Sequence, residues 1–455
     1  MAEADISELE THRVNSSCGM YRDPEITLTS SRSAESCYWG VVSPYTKMKV
    51  EVSGTINDSI ATYHVDERFS YLLTSKMTIE TPEIRVREKF RGKVKIAWCH
   101  NLPHNLTPEA SFVFDNGVRM KFDSTYLDMH HQIFEKESHP EWEYLEKWRE
   151  RQPATTQQVY HPWFYASQPE LAWPISGKAT HQYKLNLKIA DLLRVMVRER
   201  LSETGEEVWV PCLDKNISKY LEISDDACLE VPDLWGQYSL IGEEEKTARH
   251  TCTTTDDKPI TMYYHTIVSA DAEQLKQYGQ QSYVNLEQKN SRVSSILWAA
   301  ENMDAKRENN HSNYTTSVDS VYNGWNPIST VSMKYRSGTG DIPRFERMKS
   351  VHFTGESISR QFPGKPREAG FHAYSYAWDP NFYDADITQK FDKLQPRLTV
   401  WIEDGDPEAA KPELLEDVYG PHFKLRCRLR VVREWKIWYN KDGTVRMTFG
   451  QKSSK

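Results

Sequence analysis

A long alternating run constrains the fold of this chain more than any other feature. Phe423–Tyr439 reads FKLRCRLRVVREWKIWY, and apolar side chains occupy every second position through most of it. A period of two indicates a β-strand with one buried face, and a strand this long is expected to bend or bulge, here near Val431 and Val432. The side chains that we expect to be buried share one phase of the run: Leu425, Leu429 and Trp435. Asn440–Gly443 then supplies a turn into a second strand, Val445–Phe449.

The other face of the same run carries a row of basic side chains. Lys424, Arg426, Arg428 and Arg430 alternate with the apolar residues. The usual role of such a row is a solvated or salt-bridged sheet face, and binding of an anion or an acidic partner is the alternative. We therefore expect Arg426 and Arg428 to lie outside the core.

Shorter segments of the same kind recur along both halves of the chain. The predicted strands are Lys47–Val52, Ile60–Val65, Lys93–Trp98, Ser111–Phe114, Val118–Phe122, Tyr183–Ile189, Leu234–Ile241, Ile260–Val268 and Val293–Ala299. Aromatic residues make up 12% of the chain, and 24 Tyr and 14 Trp favour strands over helices. The sequence therefore predicts an all-β protein built from two tandem antiparallel sandwiches.

Two segments interrupt the strand pattern and predict short helices. Ser138–Gln152 combines a capping box with apolar residues at a spacing of three, and Ala270–Tyr278 precedes Gly279, a common helix stop. We interpret the aromatic stripe of the first helix, which includes Trp142 and Trp148, as a packing surface rather than a ligand platform.

The length of the chain and one polar segment predict the domain organisation. A chain of 455 residues is too long for one ordinary core, which favours two domains. Gly242–Lys258 has almost nothing to bury and is the predicted linker, so we expect a boundary between Gly242 and Pro259. Residues 1–40 are polar and predict an arm that orders only against a partner. The predicted domains are then residues 41–245 and 246–455.

Charge and cysteine content restrict the partners and the compartment. The net charge of −8 argues against a protein that neutralises many phosphates, so nucleic acid is not an expected direct partner. No long apolar run or signal-peptide pattern occurs, which predicts a soluble protein that is not exported by the usual route. Seven scattered cysteines favour reduced thiols. Chance occurrence is the preferred interpretation of the six glycosylation sequons at Asn15, Asn57, Asn105, Asn216, Asn310 and Asn313.

Catalytic motifs are absent from the sequence. It has no GxSxG, HExxH, GxxxxGK[ST] or GxGxxG pattern, and Ser337–Asp341 lacks the lysine of a phosphate-binding loop. Paired carboxylates for glycoside hydrolysis cannot be judged from sequence, because their separation in space decides the chemistry. We therefore predict no catalytic residue and no cofactor.

Three polar clusters are weak metal-site candidates. Cys99-His100 with His104 has a ligand-like spacing but lacks a further ligand pair. We place His130-His131, near Asp123 and Asp128, in a strand, where adjacent side chains would face opposite sides of the sheet. Glu403–Asp406 could hold calcium, although an exposed acidic turn is the preferred interpretation. We predict no metal ion.

Four motifs in a fixed order resemble a known family of viral proteins. Ile96–Met129 is similar to a family stretch in which a strand runs into an Asn/His-containing turn. His161–Ile189 resembles the family's Pro-aromatic block and following strand, and Ala373–Ala377 (AYSYA) resembles its Tyr-Ser-Phe/Tyr-Ala motif. Leu425–Phe449 resembles its closing pair of strands. Over roughly residues 45–450, the chain thus resembles the double jelly-roll major capsid proteins of nucleocytoplasmic large DNA viruses, of the iridovirus, ascovirus and marseillevirus type.

The resemblance implies a fold, a function and a set of partners. The fold would be two eight-stranded jelly rolls, and three copies would form a pseudo-hexagonal capsomer that tiles an icosahedral shell. Its partners would be neighbouring capsomers, minor capsid proteins and an inner membrane-associated layer. Assembly would take place in the host cytoplasm. Loops such as Glu301–Asp319 and Lys334–Lys349 would cap the outward surface.

Two alternatives to a major capsid protein stay open at this point. The first is a divergent minor capsid paralogue. The second is a carbohydrate-binding or carbohydrate-cleaving β-sandwich, in which Trp163, Trp173 and Trp378 would stack on sugar rings.

Overall fold

The computed structural model describes most of the chain from residue 41 onward. The described residues are 41–55, 58–106, 109–113, 119–135, 140–167, 172–175, 182–187, 195–201, 208–211, 219–223, 231–240, 242–243, 247, 259–286, 291–318, 320–337, 340–377, 380, 389–390, 395–403, 422–439 and 445–450. The predicted arm, residues 1–40, lies outside them. We refer to residues 41–240 as the first half and to residues 259–450 as the second half.

The first half consists mainly of strands in four antiparallel sheets. Its strands are β1 (Val41–Val42), β2 (Thr46–Lys47), β3 (Lys49–Thr55), β4 (Asp58–His64), β5 (Tyr71–Thr81), β6 (Ile84–Val86), β7 (Val94–Trp98), β8 (Glu109–Val113), β9 (Arg119–Asp123), β10 (Arg151–Gln152), β11 (Thr155–Tyr160), β12 (Trp173–Pro174), β13 (Gln182–Leu187), β14 (Val195–Leu201), β15 (Val208–Pro211), β16 (Leu221–Ile223) and β17 (Asp233–Leu240). One sheet has the order β1-β17-β5-β11, with β2 on β17 and β12 on β5, and a second has the order β3-β4-β13-β8-β9. Two small sheets, β10-β6-β16 and β15-β14-β7, complete this half.

The second half forms two antiparallel sheets. Its strands are β18 (Ile260–Ser269), β19 (Gln281–Asn285), β20 (Arg292–Asn302), β21 (Ile328–Ser337), β22 (Gly340–Lys349), β23 (His372–Ser375), β24 (Gln389–Lys390), β25 (Gln395–Ile402), β26 (Phe423–Tyr439) and β27 (Val445–Gly450). One sheet has the order β18-β26-β20-β23, with β24 on β20 and β27 on β26, and the other has the order β19-β25-β21-β22.

Short helices connect the strands. The α-helices of the described residues are α1 (Leu102–Leu106), α2 (Ser124–Phe134), α3 (Pro140–Leu145), α4 (Phe164–Ser167), α5 (Met303–Arg307) and α6 (Gly355–Gln361), and single 3₁₀ turns span Glu88–Phe90, Val321–Asn323 and Ser350–Phe353. None of the helices in these residues has the length and hydropathy needed to cross a bilayer.

The predicted all-β architecture is confirmed. Every pairing between described strands is antiparallel, and each sheet takes all of its strands from one half. The strand predictions agree with the structure to within a few residues; for example, Val293–Ala299 lies within β20 and Ile260–Val268 within β18. The domain boundary between Gly242 and Pro259 stays a prediction, because most of that segment lies outside the described residues.

The two sheets of the second half face each other across one apolar core. Val331 and Met333 of β21 and Val400 of β25 pack against Leu425 and Leu429 of β26. The predicted phase of β26 is therefore confirmed, since Leu425, Leu429 and Trp435 are all buried. Trp435, however, lies in a different core from the two leucines.

The core of the first half extends into the second half. Tyr63, Met77 and Phe112 belong to the same apolar cluster as Trp435 of β26 and Leu297 of β20. Alternate residues of β20 point into the two cores, and every residue from Val293 to Asn302 is buried. A strand that is buried on both faces reads as a continuous apolar run, which explains the sequence ILWAA at Ile296–Ala300. The two halves are thus joined by shared packing.

A third, smaller core was not anticipated from the sequence. The sheets β10-β6-β16 and β15-β14-β7 enclose Ile84, Ile96, Val195 and Leu221, together with Trp98. These strands have only two to seven residues, so alternation within each of them is a weak signal.

Two predictions of secondary structure are wrong. Residues 270–278 form no helix, because the backbone N–H groups of Ala270, Ala272 and Lys276 instead bond carbonyls along β26. His130 and His131 lie in helix α2, not in a strand, because the Asp123 side chain caps the helix by accepting from the Tyr126 N–H at 2.8 Å.

The predicted helix at Ser138–Gln152 is confirmed in part. Its described portion is α3, in which Trp142 and Leu145 are buried, as a packing stripe requires. Arg151 and Gln152 form strand β10 instead, and Ser138 of the predicted capping box lies outside the described residues.

Candidate functional site

The junction between the two halves holds most of the buried polar chemistry. The face of β26 that points away from the second-half core packs against helix α2 and strand β9 of the first half. The chain also approaches α2 closely: the Gly364 N–H donates to the Ile133 carbonyl at 2.9 Å, and a Cβ at Gly364 would lie 2.5 Å from that carbonyl. Only glycine fits this contact.

The arginine row of β26 lies inside this junction. Arg428 is 1% exposed and Arg430 is 5% exposed, so the expectation that Arg428 lies outside the core is wrong. The periodicity was assigned correctly, but the second face of the sheet is covered by the first half rather than by solvent. The prediction that the basic side chains form salt bridges is confirmed for two of them. Arg426 pairs with Asp271 and Arg428 pairs with Asp123.

Two of these arginines are neutralised by three carboxylates. Arg428 binds Asp123 of the first half through Nε at 3.0 Å and Nη2 at 2.7 Å, and it also contacts Asp271. Arg426 Nη1 donates to Asp271 at 2.7 Å, and its Nε donates to Glu301 at 2.7 Å. Burial would raise the pKa of Asp271, but Arg428 and Arg426 outweigh this effect and hold its pKa below the ordinary value. The network thus links the halves by charge-assisted hydrogen bonds.

A second buried cluster surrounds Asp128 on helix α2. This fully buried carboxylate accepts from Asn101 Nδ2 at 3.0 Å, from His104 Nδ1 at 2.7 Å and from the Tyr314 hydroxyl of the second half at 2.9 Å. Burial raises the pKa of Tyr314 well above its ordinary value, and the negative charge of Asp128 raises it further. Tyr314 therefore stays a neutral phenol and donates a hydrogen bond to the Asp128 carboxylate.

His100 forms the centre of a third cluster. Its Nδ1 lies 2.7 Å from Glu146 of the first half, and its Nε2 lies 2.9 Å from Glu368 of the second half. Gln132 of α2 fixes Glu368 from the other side, donating to its carboxylate at 2.7 Å. Burial opposes the charged imidazolium, but the two glutamates outweigh it, so the pKa of His100 lies well above its usual 6.5.

This raised pKa predicts a pH dependence of stability. A folded-state pKa above the unfolded one gives a contribution that is fully present below about pH 6.5 and is lost as the pH rises through the folded value. We expect the free energy of unfolding to exceed that of His100→Gln most strongly below about pH 6.5, and the difference to shrink as the pH rises from there through the raised pKa of the folded state. Urea titrations of both proteins across this range measure it. A difference that grows with pH would contradict the assignment of a buried imidazolium.

The histidines of the candidate metal sites contact carboxylates of the protein. His100 and His104 contact carboxylates, Cys99 is fully buried, and no metal-like cluster of His, Cys, Asp or Glu occurs among the described residues. His130 and His131 both contact Glu135, at 3.4 and 2.7 Å. Asp404–Asp406 and the glycines of Ser337–Asp341 lie largely outside the described residues.

Two of the three tryptophans proposed to stack on sugars are not surface residues. Trp163 and Trp173 are 0% exposed, and Trp173 stacks on Trp435 at 5.3 Å within the first core. Neither ring is therefore the open surface platform that stacking on a carbohydrate uses. Trp378 lies outside the described residues.

Three of the glycosylation sequons are buried. Asn105 donates to Ser312 Oγ at 2.7 Å across the junction, and Asn310 and Asn313 donate to backbone carbonyls. Each is less than a tenth exposed, so the folded protein does not present them to a glycosylating enzyme. Asn15, Asn57 and Asn216 lie outside the described residues.

The two segments expected to be loops on the outward surface are structured in other ways. Glu301–Asp319 contains α5 and places buried Asn313 and Tyr314 at the junction. Gly370 lets this segment approach closely, because its φ of 96° and a 2.1 Å clash of any Cβ with the Tyr314 carbonyl exclude larger residues. Lys334–Lys349 is not a loop but the hairpin β21–β22.

The sequence shows similarity to viral shell proteins. It is 20% identical over 355 residues to the major capsid protein of Invertebrate iridescent virus 6, covering 71% of this chain and 72% of that protein. With the major capsid protein of Wiseana iridescent virus it shares 20% identity over 404 residues, covering 81% and 77%. A 100-residue stretch, 21% of each chain, is 32% identical to the major capsid protein of Lymphocystis disease virus 1. No family model matches.

Solved structures show the same architecture. The Faustovirus major capsid protein superposes with a TM-score of 0.61 at 8% identity, covering 95% of this chain and 98% of that one. A chain of the PBCV-1 virus capsid superposes with a TM-score of 0.59 at 14% identity, covering 90% and 97%. The likeness spans both halves, so the fold is the double jelly roll of these capsid proteins, as the sequence motifs predicted.

Proposed function

We propose that this chain, whose curated homologues are iridovirus major capsid proteins, is a structural subunit of the icosahedral shell of a large DNA virus. The observation that carries the proposal is the extent of the likeness. Both sandwiches align with nearly the whole length of capsid chains, rather than one sandwich with one domain of an unrelated protein.

The junction supports a structural role. A shell subunit with two lobes must hold them at a fixed spacing, since each lobe contacts a different neighbour. Here the lobes share an apolar core through Trp435 and are tied by Arg428–Asp123, Tyr314–Asp128 and His100–Glu368. Rigid-body motion of one lobe would break all of these contacts and leave buried charges unpaired.

Three copies would place six similar lobes around one axis. The contacts in such a trimer are heterologous and close after three copies, which gives a pseudo-hexagonal outline. We expect each interface to bury on the order of 2,000 Å² or more, as obligate assemblies do.

An exposed apolar patch on the second half is a suitable subunit contact. Tyr322, Trp325 and Val351 are each more than half exposed. A hydrogen bond of 3.2 Å between Asn326 and Ser350 holds the segments of Trp325 and Val351 together. Exposed aromatic and aliphatic side chains grouped in this way mark interaction surfaces more often than free surface.

Replacing Trp325 with glutamate should weaken the trimer. An exposed indole contributes to association by its burial, and a carboxylate in its place would be desolvated without a partner, so we expect a loss of about tenfold or more in association. Light scattering coupled to size-exclusion chromatography measures the mass of the assembly across a dilution series.

Val52→Glu is the matched control, because Val52 is 50% exposed on the first-half strand β3. We expect it to leave the trimer mass unchanged at the concentration where Trp325→Glu dissociates. A trimer that survives Trp325→Glu would exclude this patch as a subunit contact.

The partners proposed for the assembled shell extend beyond the trimer. They are neighbouring capsomers, minor capsid proteins and an inner membrane-associated layer, with assembly in the host cytoplasm. Residues 1–40 would order against one of these neighbours. The net charge of −8 supports assembly without direct nucleic-acid contact, so nuclease treatment should leave the trimer intact.

The proposed role is not enzymatic. Nothing in the buried clusters pairs a nucleophile with a base in an open cleft; their carboxylates and histidines satisfy each other within the described residues. A minor capsid paralogue would share this fold. A stable monomer retained on a glycan column would instead favour a carbohydrate-binding protein.

A further inference from the structure

A cavity of about 380 Å³ lies between the two halves. Its first-half wall is largely aromatic, with Tyr126, Phe134, Trp163 and Phe164, and its second-half wall includes His265 and Arg430. Tyr160, which is 46% exposed, stands at its rim. The size and the mixture of aromatic walls with a few polar groups are typical of a site for a small molecule.

Arg430 is the unusual member of this wall. It is 5% exposed, yet within the described residues it meets no carboxylate. Its Nη1 donates to the Pro380 carbonyl at 2.8 Å, its Nη2 lies 3.1 Å from His265 Nδ1, and its guanidinium lies 4.3 Å over the Phe134 ring. Its Nε has no hydrogen-bond partner. A buried cation that contacts no carboxylate among the described residues is costly, since these neutral contacts replace only part of its lost hydration.

The neighbouring arginines show that this arrangement is specific to one position. Arg426 and Arg428 lie on the same face of β26 and share three carboxylates, Asp123, Asp271 and Glu301. Among the described residues, carboxylates therefore neutralise Arg426 and Arg428 but none contacts Arg430, which lines the cavity.

The other titratable groups of the cavity do not supply that charge. His161 is 1% exposed, neither of its ring nitrogens has a hydrogen-bond partner, and burial lowers its pKa to about 3. Burial also lowers the pKa of His265, and the positive charge of Arg430 lowers it further. Glu135 is the carboxylate among the described lining residues, and it contacts His130 and His131. Burial lowers the pKa of His130 as well. Three imidazoles with lowered pKa values, those of His130, His161 and His265, thus line the aromatic cavity beside Arg430.

We propose that this cavity binds a small organic anion, with its carboxylate or phosphate group at Arg430 and its apolar body among the aromatic rings. The planar guanidinium suits either anionic group, because both accept paired N–H donors. The aromatic walls require the rest of the molecule to be apolar, since a bare inorganic ion would leave them facing water. The ligand would join the two lobes, because its two ends contact different halves.

Calorimetric titration of the purified full-length protein tests the proposal with three probes of one shape. They are 2-naphthoate, 2-naphthyl phosphate and the neutral 2-naphthamide. We expect one of the two anions to bind once per chain, and the neutral amide to bind at least about tenfold more weakly. The preferred anion then identifies the head group as a carboxylate or a phosphate.

Arg430→Met should reduce binding of the preferred anion at least about tenfold and leave the weak binding of the amide unchanged. Arg433→Met, on the same strand and half-exposed, is the control and should bind as the unmodified chain does. Binding of neither anion, or anion binding that Arg430→Met does not weaken, would overturn the proposal. The trimer mass of both variants should equal that of the unmodified chain. A loss of anion binding can then be distinguished from a failure of the proposed capsid assembly.

Discussion

Replacing Arg428 with methionine is expected to lower the free energy of unfolding by about 3–5 kcal/mol, the cost of removing one partner from a buried ion pair. Arg428 is 1% exposed and binds Asp123 and Asp271, which come from the two halves. Without the guanidinium, Asp123 loses its cation and Asp271 keeps only Arg426. Urea unfolding at a fixed protein concentration measures the change.

Arg430→Met is the matched control on the same strand face. It removes a buried charge that contacts no carboxylate in the described part of the chain, and methionine fills a similar volume, so we expect no loss of stability or a gain. Equal losses in the two variants would mean that the lost packing of the side chain, not the ion pairs of Arg428, stabilises the junction.

Trp435→Ala should cost about 3–5 kcal/mol through lost burial and the cavity left behind. Trp435 is fully buried, stacks on Trp173 of the first half at 5.3 Å and contacts Phe164 edge to face at 5.4 Å. It is therefore the largest second-half side chain in the core of the first half. The same urea titration measures the loss.

Trp438→Ala provides the comparison for this loss. Trp438 is half-buried three residues further along β26, with Arg446 stacked on its ring at 4.3 Å. We expect a clearly smaller loss there, because less area is buried and no core cavity forms. A loss as large as that of Trp435→Ala would show that the shared core does not depend on the Trp173–Trp435 stack.

The strands could be predicted because their signal is local. Alternation in β26 placed Leu425 and Leu429 in the core, since one phase of a period-two pattern must face the same side. The order of four motifs predicted the double jelly roll, which the solved structures bear out. Both kinds of signal can be read along the chain without knowing what packs against it.

The junction could not be predicted because its signal is tertiary. Nothing in the alternation of β26 distinguishes an arginine row that faces solvent from one that faces helix α2. The Asp128 cluster combines Asn101, His104 and Tyr314 from distant segments, and α2 itself was missed because its start depends on one Asp123 cap. The polar composition of Glu301–Asp319 favoured an exposed loop, although Asn310 and Asn313 within it are buried.

Electron cryomicroscopy of the purified, nuclease-treated protein would show whether the chain assembles as a capsid subunit. We expect a threefold-symmetric particle in which each chain contributes two jelly-roll lobes, so that six lobes give a pseudo-hexagonal outline. The lobes of one chain should superpose on the structure described here without a change in their relative orientation, because the junction holds them together. A monomeric particle, or an assembly of another symmetry, would contradict the assignment as a capsid subunit.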